Sequence, residues 1–174
     1  MIGYSQIYES TSGGYVWLHS RHGEDELQQN LKACRILADH GHKIEMLPTF
    51  SAFEQELGKE FLPDVFEYKN PDIRINGILI GDIKTPDKTT VIKQQTINRI
   101  IYSCAKQKVK VAVLNLAEQD YTIQDIKKGI IGALQPDRNK SIVEVWIITK
   151  QQNLFIAKRS MVFDETIYEG LHML

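Results

Sequence analysis

The chain has 174 residues, of which 43% are apolar and 25% charged, with a formal net charge of −1. That length fits one domain with a real hydrophobic core. The near-neutral balance weighs against a general nucleic-acid coating protein but leaves room for an enzyme with a local basic groove. No stretch approaches about 18 consecutive apolar residues, so no transmembrane helix is expected. The N-terminal residues lack a basic region followed by an apolar run, so no signal peptide is read there.

Residues 1–23 carry little pattern beyond Tyr15, Trp17 and His19 alternating with Val16 and Leu18, which suggests a short strand preceded by a Gly13-Gly14 turn. His19 and His22 are read as surface loop residues. Residues 24–40 predict a helix: Leu27, Leu31, Cys34 and Ala38 recur at helical spacing, Ala33 and Leu37 widen the stripe, and Gly41 stops it. Glu24, Asp25 and Glu26 are expected in its first turn, where acids suit the exposed amides. Glu26 shares a face with Asn30, Ala33 and Leu37, which places it at the rim of the buried stripe. His42 to Leu47 is a short strand ended by Pro48. Phe50, Phe53 and Leu57 are expected to line a short helix.

Residues 71–84 form two strands joined at Asn76-Gly77, the strongest short hairpin signal because both residues tolerate positive φ in a type I′ turn. A loop at 85–88 leads to a helix over 90–107, with Ile92, Ile97, Ile100, Ile101 and Cys104 on its apolar face. Val109 to Leu116 reads as an interior strand. Thr122 caps the next helix, with Asp125 three residues on, and that helix runs to Leu134 before Pro136. Residues 142–149 and 154–157 form a strand pair turned at 151–153. A short helix is expected within 160–174. Cys34 and Cys104 sit in apolar-periodic segments and are read as buried small hydrophobes. The order of elements predicts an α/β fold, a mixed central sheet flanked by helices, in a single domain over 1–174 with its core at about 24–116.

The chemistry gathers on the hairpin. Asp82 and Lys84 are two apart on a strand and so share a face, and Asp72 stands ten residues earlier on the other arm. Two carboxylates are hard oxygen ligands for a divalent metal, and the carbonyl of Ile83 is a third candidate oxygen. Glu26, reaching in from the first helix, would complete the acidic cluster. Lys84 is placed to orient or deprotonate water, or to stabilise charge that builds on a phosphate. Lys84, Lys88, Lys93, Arg99, Lys106, Lys108 and Lys110 follow the motif and offer a local phosphate-binding face. The bland alternative is a sheet edge with solvent-facing Asp82 paired to Lys84.

Pro71-Asp72 followed by Asp82-Ile83-Lys84 resembles the motif of the PD-(D/E)XK nuclease superfamily, whose fold is restriction-endonuclease-like. The longer pattern resembles C-terminal toxin domains of contact-dependent inhibition (CdiA-like) proteins. It comprises Leu37-Ala38, Gly41-His42, Glu45-Met46-Leu47-Pro48, Asn70-Pro71-Asp72, Gly77 and Asp82-Ile83-Lys84. Many such domains are tRNA nucleases. The resemblance covers roughly residues 24–116. It implies an endonuclease acting on RNA such as tRNA, with Asp72, Asp82, Ile83 and Glu26 as metal ligands and Lys84 as the catalytic lysine. Mg2+ is the implied metal, with Mn2+ or Zn2+ as alternatives. It also implies action in a target cytoplasm, delivery as part of a secreted toxin, and an immunity protein as partner. Asp82 departs from the glutamate that many members use.

Other readings stay open at this point. One is a metal-independent toxin RNase of the barnase/EndoU/colicin/RelE-like type, with His19 or His22 as base and a 2′-hydroxyl as nucleophile. Another is a DNA endonuclease. A third is a non-catalytic binding module, in which Trp146 and Phe155 would serve a homodimer or immunity-protein surface rather than the core.

Overall fold

The computed structural model describes residues 3–170. They form two compact units, one holding the described residues up to Asp82 together with Gln107–Val109, the other Ile83–Lys106 and Lys110 onward. Both mix helices and strands, in accord with the α/β class expected from the sequence.

In the first unit β1 (Tyr4–Glu9) and β2 (Tyr15–His19) form an antiparallel hairpin. β1 was not legible in the sequence, because YSQIYE is polar and half-exposed along most of its length. The Gly13-Gly14 turn is present: Gly13 has φ +85, and a Cβ on Gly14 would sit 2.0 Å from the Ala38 carbonyl oxygen. α1 (Leu27–Asp39) buries Asn30, Ala33, Cys34, Leu37 and Ala38, the stripe that its periodicity predicts. It packs on β2 and on β3 (Lys43–Met46), which pair in parallel, so β2, α1 and β3 are one crossover unit. α1 ends as Gly41 demands: Gly41 adopts φ +85, its amide donates to Ala38 O, and the His42 amide donates to Leu37 O.

The start of α1 corrects the expectation. The helix begins at Leu27, its first turn holds no acid, and Glu26 stands at the N-cap position with its side chain exposed. Further on, a single 3-10 turn (Ala52–Glu54) precedes α2 (Gln55–Phe61). Phe50 is buried, but Phe53 is fully exposed, because the 3-10 turn breaks the helical spacing on which its predicted core position depended.

β4 (Ile73–Ile75) pairs antiparallel with β3 and with β5 (Leu79–Lys84). Asn76 and Gly77 both take positive φ, and the Ile78 amide closes the turn on the Ile75 carbonyl, as the Asn-Gly signal predicts. The Asn76 side chain also anchors the turn outward, accepting from the Lys43 amide at 2.9 Å.

In the second unit, α3 (Gln94–Lys106) starts four residues later than expected, because the Thr96 hydroxyl and Asp125 carboxylate bond the backbone at 91–94 ahead of the first turn. β6 (Val111–Asn115) is wholly buried, as its apolar run implies. α4 (Ile123–Ala133) is capped by Thr122, whose hydroxyl accepts from the Asp125 amide. It carries the chain to β7 (Glu144–Ile148), parallel to β6, and β7 turns back into antiparallel β8 (Leu154–Lys158). α3 and α4 pack closely along their lengths: a Cβ on Gly129 would meet Ile97 Cβ at 2.5 Å. Trp146 is 2% exposed, so it belongs to the core and not to a partner surface; Phe155 is half-buried. The predicted C-terminal helix is two short pieces, α5 (Arg159–Phe163) and α6 (Ile167–Gly170); its expected last residues, 171–174, lie outside those described. No helix among the described residues is long and apolar enough to cross a membrane.

Candidate active site

The β4–β5 register sets the geometry of the acidic pair. Ile73 faces Gly81; Asp72 immediately precedes β4 and Asp82 follows Gly81 in β5, at the same end of the hairpin. Asp72 is half-buried; its carbonyl accepts from the Leu47 amide at 2.9 Å, which ties this end of the hairpin to β3. Asp82 is only 2% exposed. Asp82 therefore does not face solvent, as the bland alternative had it. An ionised carboxylate is costly to take out of water, so a chain retains one in mid-strand where something positive meets it.

β5 continues through Ile83 and Lys84 as one strand. Strand alternation therefore turns Lys84 to the same side of β5 as Asp82, and Ile83 to the other side, where it is fully buried. Lys84 is half-buried. Carboxylate and carbonyl oxygens are the donor types that a hard divalent cation takes, and Asp72 and Asp82 lie at the same end of this hairpin. Among the described residues no group of three or more His, Cys, Asp or Glu comes together as a metal cage. Glu26 is therefore not gathered with Asp72 and Asp82 into a three-donor cluster. A site with two carboxylates suits an ion such as Mg2+, which keeps waters and takes oxygens from its substrate.

Neighbouring charges in the first unit are tied down. Arg74 shares a face with Asp72 and bonds Glu45 at 2.8 Å and Asp64 at 2.6 Å. Burial and the Glu45 carboxylate push the Tyr4 phenol up to about 12. The Cys34 thiol is also pushed up, mostly by burial and partly by Asp72, so it is no nucleophile near neutral pH.

The histidines expected on the surface are not equivalent. His19 is buried edge-on against Tyr4 and Phe61, and its Nδ1 accepts from the Arg21 amide. Burial, and then the Arg21 and His22 charges, lower its pKa. That packing gives His19 a structural role. His22 places Nδ1 at 2.6 Å from Leu47 O. Leu47 in turn bonds the Asp72 backbone carbonyl through its amide.

The loop after Lys84 is held by residues that the sequence reading passed over. Asn115, at the end of β6, donates to Thr85 Oγ1 at 3.2 Å, and Gln119 donates to Pro86 O at 2.8 Å. Lys88 pairs with Glu118 at 2.8 Å, so its charge is partly spent within the loop. Both amide residues are buried. The signal was present: Asn115 is a polar residue closing an otherwise apolar run.

The fold is mixed α/β, and its β4–β5 hairpin carries Asp82 and the strand-end Lys84, with Asp72 just before β4. Residues 69–154 match the family model described as the Contact-dependent growth inhibition CdiA C-terminal domain. The fold is similar to that of a solved CdiA-CT/CdiI toxin and immunity complex from Burkholderia pseudomallei. That likeness has a TM-score of 0.55 at 21% sequence identity and covers 84% of this chain and 99% of the other. No curated protein matches the chain.

Proposed function

We propose that the chain is a toxin domain of the CdiA C-terminal kind and acts as a metal-dependent endonuclease on RNA such as tRNA. The observation that carries this reading is the buried Asp82, at the same end of the hairpin as Asp72 and on a strand that ends in Lys84. The family match over residues 69–154, which includes all three, supports it. Asp72, Asp82 and the Ile83 carbonyl would hold a divalent ion, Mg2+ first and Mn2+ or Zn2+ as alternatives. The bound ion would supply charge neutralisation for the scissile phosphate. Lys84 holds its ammonium beside the attacked phosphate and either orients the attacking water or takes its proton. It also offsets the negative charge that builds on the non-bridging oxygens. Asn115 and Gln119 keep the loop that follows Lys84 in place. Delivery within a secreted parent, action in a target cytoplasm and neutralisation by an immunity protein follow from the same reading.

The test is hydrolysis of tRNA and of duplex DNA with Mg2+, Mn2+ or Zn2+ by wild-type, Asp82→Ala and Lys84→Ala proteins. The wild type cleaves RNA with a metal, and both variants lose that activity. Unchanged hydrolysis in both variants would sink the site assignment, and preferential cutting of duplex DNA would move the substrate. A metal-free mechanism keeps one supporting observation, the placement of His22 beside the Leu47 peptide. His22→Ala would then abolish cleavage that survives EDTA.

A further inference from the structure

Within the second unit, α3 and the loop between α4 and β7 enclose an open groove of about 450 Å³. Asn98, Arg99 and Tyr102 line one wall; Asp137, Arg138 and Asn139 line the other. The groove is polar and carries more positive than negative charge, and one large ring stands in it. Tyr102 is 56% exposed, and Lys106 Nζ lies 4.6 Å from its ring centroid. Arg99, Tyr102 and Lys106 follow at steps of three and four, so cation, ring and cation run along one face of α3. Arg99 is exposed, and no hydrogen bond or ion pair among the described residues engages its guanidinium. Arg138 is exposed too and makes a single long bond, 3.4 Å to Gly132 O.

The opposite wall is built rather than loose. Arg159 sends its guanidinium into the loop and donates to five carbonyls: Ile142, Leu134, Gln135, Arg138 and Asn139, at 2.7–3.2 Å. Asn139, held at φ +45, adds a bond from its amide to Ala133 O. A loop clamped in this way presents Arg138 from an ordered backbone, which lowers the ordering cost at the moment of binding.

An exposed ring flanked by exposed arginines suits single-stranded nucleic acid. Any unstacked base finds a π-face, and the cations take the phosphates on either side. A duplex keeps its bases stacked and cannot use the ring. We propose that this groove binds a single-stranded segment of the RNA substrate, with a base stacked on Tyr102 and phosphates on Arg99 and Arg138. Arg159 is a positioning residue that holds the loop wall. The inference rests on the RNA-nuclease reading for its substrate class, but it concerns different residues and a different readout.

The experiment is fluorescence anisotropy with a labelled oligouridylate and a labelled RNA duplex, in EDTA and over a series of salt concentrations. Tyr102→Ala weakens oligouridylate binding by about 5- to 150-fold, the range for one stacked base, and Tyr102→Phe keeps it. Arg99→Ala and Arg138→Ala each reduce the slope of log K against log salt by about 0.7. Duplex binding responds to the arginines and not to the ring. Unchanged oligouridylate binding by Tyr102→Ala overturns the proposal, as does an equal loss in Tyr102→Phe. So does a result in which these variants bind RNA normally but lose a purified immunity protein, which would make the groove a protein-docking surface. If the wild type cleaves tRNA while Tyr102→Ala binds as before, the groove fails and the nuclease reading stands. If no metal supports cleavage while Tyr102→Ala loses oligouridylate, the nuclease reading fails and the groove stands.

Discussion

Two antiparallel hairpins in this chain solve the same folding problem and spend their polar residues differently. β7–β8 buries Trp146, Ile147, Ile148 and Ala157. Its acid, Glu144, sits half-buried at the strand end and accepts from the Trp146 indole at 2.7 Å. β4–β5 buries Ile73, Ile75, Ile80 and Ile83 in the same manner, yet it also buries Asp82 within a strand, with Asp72 at the same end of the hairpin. The acid of the second hairpin satisfies a core tryptophan. The first hairpin holds a carboxylate buried within a strand, which a hairpin built only for stability has little reason to keep. This contrast is the physical reason for reading one hairpin as scaffold and the other as site.

Substitution of the two acids separates the hairpins most sharply. Asp82→Asn lowers nuclease activity by about 10²- to 10³-fold or more, while its thermal midpoint holds or rises because a buried charge is gone. Glu144→Ala leaves turnover unchanged and costs about 1–3 kcal/mol in urea unfolding, since the Trp146 N–H loses its charged acceptor. Equal activity losses in the two variants would erase the distinction. A comparable stability effect comes from the close approaches that support each hairpin's unit. Gly14→Ala drives a methyl into the Ala38 carbonyl and Gly129→Ala drives one into Ile97. Each lowers the urea midpoint by the equivalent of about 1–3 kcal/mol.

Smaller effects follow from the turn and from one ring. Asn76→Ala forces a Cβ-bearing residue without a local acceptor to φ +52 and removes the bond to the Lys43 amide, costing about 1–2 kcal/mol. Asn76→Gly recovers most of that, as read by thermal melts of the three proteins. His19 has a folded-state pKa below its ordinary value, so the unfolded chain binds this proton more readily than the folded one. Stability therefore falls as pH drops through the ordinary histidine range, near 6.5, and levels off below the folded pKa. His19→Phe flattens that part of the melting-temperature profile if His19 is its source.

Much of this was legible in the sequence where a single residue type or period leaves the backbone few choices. The stripe of α1, its Gly41 stop, the Thr122 cap and the Asn76-Gly77 turn are of this kind. What escaped depends on tertiary placement. β1 is polar and takes its order from β2. Phe53 left the core when a 3-10 turn replaced a helix. The acids at 24–26 precede α1 instead of opening it. In the candidate site, Asp72, Asp82 and Lys84 were visible as a spacing, because strand alternation converts spacing directly into a shared face. Asn115, Gln119 and Arg159 were not, since each acts on carbonyls or hydroxyls far away in sequence.

The central claim is hydrolysis by a metal held at Asp72 and Asp82, and the ends of the cleaved RNA test it most directly. End-labelled tRNA is incubated with the protein after EDTA treatment and again after Mg2+ is restored, and the product termini are identified. The account predicts no cleavage in EDTA, recovery with the metal, and products without a 2′,3′-cyclic phosphate. Cleavage that persists in EDTA and leaves a cyclic phosphate would contradict it, because the 2′-hydroxyl and not water would then be the nucleophile.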